Sequence, residues 1–162
     1  MIHRAVFLLG FLPTLAFPAP PNELDPVVRL YRDFAWEAVI DTPTAGPGLL
    51  SQSDAVWSRY FSPRLIKLLR NDRQCVARTR EICKLDFSPI WASQNPGAAR
   101  LKVVPGETPA TVNVYFDYPG NGKRISMKFL LQKPDARWLI DDIQYEDGQR
   151  LGKLLEAREW AL

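Results

Sequence analysis

The feature that most limits what this chain can fold into is a change of hydrophobic period near Ala98. Before it, apolar residues recur three and four positions apart; after it, they recur at every second position. The first spacing puts them on one side of a helix, the second on one face of a strand. Helices followed by a run of strands predict an α+β fold, with N-terminal helices packed on one face of a curved antiparallel four-stranded sheet. A sheet bent around helices tends to form a cone with a hollow end, where ligands can bind.

The helical half opens with "LDPVVRLYRDFAWEAVI". Asp25 reads as N-cap and Pro26 as the first helical residue. Val27, Leu30, Tyr31, Phe34 and Ala38 form one apolar stripe, and "DTPTAGPG" ends the helix. A second helical segment covers "SQSDAVWSRYF". Ser62 then caps a third, "SPRLIKLLRNDRQCV", with Pro63 in its first turn and Leu65, Leu68, Leu69 and Val76 on its buried side. Two helices or one bent helix both satisfy this spacing.

In the second half, Ala99, Leu101 and Val103 alternate with charged residues. Val112, Val114, Phe116 and Tyr118 share a face, as do Ile125, Met127, Phe129 and Leu131. "PGNGK" and "KPDA" are turns, and "RWLIDDIQY" is the fourth strand of an antiparallel meander. The tail "RLGKLLEAREW" reads as a short helix weakened by Gly152. Between the halves lies "CKLDFSPIWASQNPG", in which Phe87, Ile90 and Trp91 bury the crossover. Asn95, Pro96 and Gly97 suit a type II turn, while Ser93 and Gln94 bond backbone or face the mouth of a pocket.

Residues 1–19 read as a secretory signal peptide. His3 and Arg4 precede "AVFLLGFLPTLA", a run too short to span a bilayer, with cleavage after Ala16 or Ala19. Pro13, Pro18, Pro20 and Pro21 oppose a buried helix there, and no nearby cysteine supports a lipid anchor. Residues 25–162 then form a single domain of an exported protein, periplasmic or secreted from a bacterium, with no integral membrane segment after cleavage. Loss of Arg4 leaves 20 basic against 18 acidic residues, a net +2. With "RNDRQCVARTR" as a solvated helix face, this balance argues against nucleic-acid binding.

Export makes Cys75 and Cys83 a candidate disulfide; the alternative is two free thiols. On one straight helix eight positions span about 12 Å, whereas a disulfide needs the Cα atoms within about 7 Å. If the bond forms, the helix must end between them, near Thr79 to Glu81. Closing so short a loop stabilises the fold by roughly 2–3 kcal/mol on chain-entropy grounds.

At "SRYFSPRL", "REICKLDFSPIWASQNPGA" and "RWLIDDIQY", from about Asp25 to Leu155, the chain resembles an exported bacterial family known as YqhG-like. The resemblance implies the NTF2-like (cystatin-like) superfold and a domain of unassigned function. One branch of that family is similar to immunity proteins that neutralise peptidoglycan amidases delivered by type VI secretion. Ser88 and Asn95 stand where many relatives carry acids, which weakens any case for a carboxylate-rich catalytic or metal loop.

His3 is the only histidine and leaves with the signal peptide, so histidine-based triads and the common zinc sites are excluded. No phosphate-binding glycine loop or dinucleotide fingerprint occurs, and no metal or cofactor is expected. Carboxylates remain. Strand alternation sets Asp142 with Trp138 and Ile140, and Asp141 with Leu139, Ile143 and Tyr145. An inward acid has its pKa pushed up. Beside Tyr115 or Tyr118 it can abstract a proton from a small carbon acid; the alternatives are a structural pair with Arg59 or Arg137, or exposure at a sheet edge. Asp86 is a base, a metal ligand, or a turn-shaping acceptor. Arg59 and Tyr60 can hold an anionic ligand, or Arg59 can pair with Asp86 or Asp142. Trp91 lines a ligand site, anchors a partner, or packs in the core. Arg59, Tyr60, Trp91, Gln94 and Tyr115 are thus the candidate binding residues. The reading favours a non-catalytic domain that binds a periplasmic protein partner or a small apolar ligand. Its alternatives are the amidase-immunity role, with "PGETPA" or "YPGNGK" as an inserted loop, and an enzyme using an aspartate base in the cone.

Overall fold

The structure, a computed structural model, describes residues 22–39 and 47–157. The signal peptide read at 1–19, most of "DTPTAGPG" and the end of the C-terminal tail lie outside the described residues. The order of elements is α1 (Asp25–Phe34), α2 (Asp54–Trp57), α3 (Pro63–Thr79), β1 (Ala99–Pro105), β2 (Thr111–Asp117), β3 (Arg124–Gln132), β4 (Leu139–Gln144) and α4 (Leu151–Glu156). The strands form one antiparallel meander in the order β1-β2-β3-β4. The class is α+β, as the change of period predicts, and the sheet stays open with β1 and β4 as its edges.

The helical half is more broken than its periodicity suggests. α1 stops at Phe34 and runs on as a 3-10 turn, Ala35–Ala38. Leu24, not Asp25, holds the N-cap position; Asp25 lies in the first turn and its carboxylate accepts the Asn22 N–H at 2.9 Å. The second segment shrinks to four residues because the chain must then extend. Tyr60 O accepts the Ile140 N–H and Ser62 N–H donates to Ile140 O, both at 2.8 Å, which pins this stretch to the outer edge of β4. Two separate helices result. Ser62 does cap α3, its Oγ accepting the Leu65 N–H at 3.1 Å. On α3, Leu65, Ile66 and Leu69 are buried, but Val76 is exposed because the last turns run past the core.

That overhanging end carries the disulfide. Cys75 and Cys83 are bonded with Cα atoms 6.1 Å apart. The helix ends where this requires: Arg80 turns left-handed at φ 64° and its N–H donates to Val76 O.

The core fills the space between the helices and the inner face of the sheet. Tyr31 sits edge-on to Trp91 and Phe129, with ring centres 5.1 and 5.9 Å away, and Trp91 is edge-on to Phe116 at 5.3 Å. The Tyr31 hydroxyl donates to Ile90 O at 2.7 Å and the Trp57 indole to Leu49 O at 2.7 Å, so these buried polar tips are satisfied. The larger clefts among the described residues are lined by none of the inner-face side chains Val112, Val114, Phe116, Met127 and Phe129. Side chains fill the middle of the inner face, and only its end, at Ile125, lines a cleft.

Two local expectations are corrected. Gly97 does not take the positive φ of a type II turn; the reversal lies earlier, at Ala92 (φ 50°), closed by Ser88 N–H donating to Ser93 O at 2.9 Å. On β4, Leu130 lies opposite Asp142 but Leu131 lies opposite Ile140, so the strand bulges at Asp141. The bulge breaks the alternation, and Ile140 and Ile143 both enter the core while Asp142 leaves the face of Ile140.

Candidate functional site

The two adjacent aspartates converge on one arginine. The Asp142 carboxylate is buried, and its Oδ1 accepts the Ile143 and Gly152 N–H groups at 2.9 and 2.8 Å. Its Oδ2 lies 3.6 Å from Arg64 Nη2. Asp141 accepts the Ser62 hydroxyl at 2.6 Å and ion-pairs with the same guanidinium at 3.3 Å, which also reaches Glu156 at 3.0 Å. The partner is Arg64, not Arg59 or Arg137. Gly152 is explained here as well: a Cβ would meet Arg64 and Asp142 side-chain atoms at 3.1 Å. The cluster ties α3, β4 and α4 together.

Tyr115 does not join Asp142. It lies on the outer face of the sheet with the Arg124 guanidinium 5.6 Å from its ring centre. It is four positions along β2 from Thr111, the residue level with Leu130 and Asp142. At ~3.3 Å per residue that separation is about 13 Å along the strand, far beyond proton-transfer reach.

Asp86 and Gln94 do come together, the Gln94 amide donating to Asp86 Oδ2 at 2.7 Å on an exposed loop. Trp91 is in the core, 2 % exposed. Arg59 lies over the Tyr60 ring and 3.6 Å from Asp33, so its acid is neither Asp86 nor Asp142. The buried Tyr60 hydroxyl donates to Asp33 Oδ2 at 2.5 Å, and burial, then the bond to Asp33, pushes its pKa up to about 12.

A cleft of about 480 Å³ opens at the end of the sheet beside the β2–β3 turn. Its walls are Phe87 and Ala92 from the crossover, Ile125 from β3 and Tyr145 just after β4; Lys123, Glu146 and Asp147 stand at the rim. Phe87 and Tyr145 meet edge to face with centres 5.6 Å apart. The Tyr145 hydroxyl donates to Pro89 O at 3.3 Å. Burial, with the Asp142 and Asp147 charges, raises its pKa far above the ordinary phenol value, so it stays a neutral donor. Lys123 bridges the rim to Glu146 at 3.1 Å. A smaller groove of about 260 Å³ continues over the outer face past Asn113, Tyr115, Lys128 and Gln144 to Glu107, and shares Ser126, Tyr145 and Glu146 with the cleft.

Of the candidate binding residues, only Tyr115 reaches this surface. Phe87 and Tyr145 were not singled out for binding, and Lys123 entered only as part of the "YPGNGK" loop. The surface joins an aromatic wall to hydroxyls, amides and mixed charge. That chemistry can hold a ligand, but it pairs no nucleophile with a base. Among the described residues, no three metal-ligating side chains cluster and no helix is long and apolar enough to cross a membrane. Compared with known proteins, the chain matches no family model, no curated protein and no solved structure.

Proposed function

We propose that this chain is an exported, non-catalytic binding domain that holds an extended segment of a partner protein in the Phe87–Tyr145 cleft and its adjoining groove. The observation that carries the reading is the continuity of the two depressions. They run from Glu107 in "PGETPA" to Lys123 in "YPGNGK", so both loops read from the sequence as contact loops bound a single surface. A filled core favours an open surface site over an enclosed ligand. The disulfide fits an oxidising, extracytoplasmic compartment, consistent with the signal peptide read at the N-terminus.

The test is capture from periplasmic extract with the wild-type chain and with Tyr145→Ala and Phe87→Ala. A partner retained by the wild type and lost by both variants supports the reading. No stable partner, or one held equally by the variants, counts against it. The amidase-immunity reading is a specific form of the same proposal, motivated by the YqhG-like resemblance and by the two loops. Protection of cells against an amidase toxin tests it. An aspartate base gains no support from the geometry, because Asp142 is occupied by two N–H donors and Arg64.

A further inference from the structure

A second surface, sharing no residue with the cleft, carries a surplus of positive charge. Arg29 and Arg32 stand one turn apart on α1, on neighbouring positions of the helix surface. Arg59, from the loop after α2, joins them. One Arg29 Nη donates to the Arg59 carbonyl at 3.3 Å, which draws the loop against the helix. Three guanidinium groups therefore gather here, and among the described residues one carboxylate answers them. Asp33 takes Arg32 on Oδ1 at 2.9 Å and Arg59 on Oδ2 at 3.6 Å. The same Oδ2 also accepts the Tyr60 hydroxyl. Among the described residues Arg29 meets no carboxylate, and its buried Nε has no acceptor. The Arg32 and Arg59 side chains are 64 % and 58 % exposed, so both forks are open to a ligand.

We infer that Arg29, Arg32 and Arg59 form a binding site for a phosphate group. Three cations against one Asp33 leave a local charge of +2. A phosphate monoester carries roughly −1.5 to −2 near neutral pH, so it matches the charge, and its three acceptor oxygens can take N–H groups from the two exposed forks and from Arg29. A carboxylate would leave one cation uncompensated. Arginine forks bind phosphate with paired, charge-assisted hydrogen bonds. The Asp33 carboxylate fixes the geometry of Arg32 and Arg59 while competing with the incoming anion. The phosphate can belong to a soluble ester or to a lipid headgroup.

The test starts with titration of the intact, oxidised chain with inorganic phosphate at low salt, followed by calorimetry and backbone amide shifts. Saturable binding with shifts at Arg29, Arg32, Arg59 and Tyr60 is expected. Arg29→Ala and Arg32→Ala should each weaken it about tenfold, the scale of one lost charge-assisted contact. Arg78→Ala, which removes the same charge from the end of α3, should not. Asp33→Asn should strengthen binding by removing the competitor. Added salt should weaken binding in the wild type. Glycerol phosphate and sedimentation with phosphatidic acid vesicles, whose headgroup is a phosphate monoester, against phosphatidylcholine vesicles, identify the source as soluble ester or headgroup. Absence of saturable binding overturns the inference. So does equal loss in Arg78→Ala, or Asp33→Asn binding no tighter than the wild type. Should an arginine variant fail to fold, the wild-type shift map and Asp33→Asn still decide.

Discussion

Strand β2 has one sequence and two surroundings. Val112, Val114 and Phe116 face the helices and are sealed among aromatic rings. Asn113 and Tyr115 alternate with them and line an open groove, and Asp117 is held by the exposed Arg100. Fractional exposure alone misses the contrast, since Asn113 and Asp117 are also buried by area, at 7 % and 5 %. What differs is what covers them. Helical side chains close the inner face, while no helix packs on the residues of the groove. The middle of the inner face therefore holds the fold together and leaves no room for a ligand, so binding falls to the open end at Ile125, the outer face, the loops or the helix surface.

The contrast breaks most directly by truncation on each side. Phe129→Ala, opposite Val112 in the core, should cost about 3–5 kcal/mol. Tyr115→Ala on the outer face should stay within about 1 kcal/mol. Urea unfolding of both variants measures this, and similar losses would mean that the outer face is as tightly built as the core. Next in size is the disulfide. Replacing Cys75 and Cys83 with serine should lower stability by about 2–3 kcal/mol. The binding surfaces should survive, because the bridge sits on the overhanging end of α3.

A second pair of predictions sets the two candidate carboxylates against each other. Asp142→Ala strands the Ile143 and Gly152 N–H groups and removes one partner of Arg64. The expected loss is about 1–3 kcal/mol, the cost of leaving buried donors unmade. Asp86→Ala removes one exposed bond to Gln94 and should stay within about 0.5 kcal/mol. An equal loss at both positions would show that Asp142 is less committed to structure than its contacts imply.

Much of this was legible in the chain and some was not, for physical reasons. The Ser62-Pro63 cap, the two-residue period of β2 and β3 and the place where α3 must end all follow from local rules, and the structure keeps them. The faces of Asp141 and Asp142 were misread because one extra residue in a strand shifts everything after it, and nothing in "LIDDIQ" marks the bulge. Val76 fits the helical stripe but lies beyond the reach of the core, a fact about length and not period. The cleft was invisible because Phe87 and Tyr145 are distant in sequence and meet only once the crossover folds over the sheet end. The arginine surface was half legible: Arg59 and Tyr60 were candidates, but their acid proved to be Asp33 on the first helix.

Among the pH effects, a small one is the acid limb of stability that Asp33 supplies. Burial works to raise its pKa. The Arg32 and Tyr60 hydrogen bonds, with the Arg32 and Arg59 charges, outweigh that and hold it below the ordinary carboxylate value. A carboxyl whose pKa is lower in the fold than in the unfolded chain stabilises the fold above the unfolded value, about 3.9. That contribution is lost as pH falls through the lower folded value. Solvent reaches the site, so it should stay under about 1 kcal/mol. Tyr60 gives the opposite limb: its raised pKa stabilises the fold below the unfolded phenol value, about 10, and that contribution is lost as pH rises through the folded value. Stability curves of wild type and Asp33→Asn, measured by urea unfolding from acid to alkaline pH, should therefore converge at the acid end. The variant's phenolate absorbance should also appear at lower pH, because Tyr60 loses the acceptor that holds its proton. Parallel curves with no change in the phenol titration would show that Asp33 does not hold Arg32, Arg59 and Tyr60 as its contacts imply, and would remove the basis for treating it as a competitor at the phosphate site.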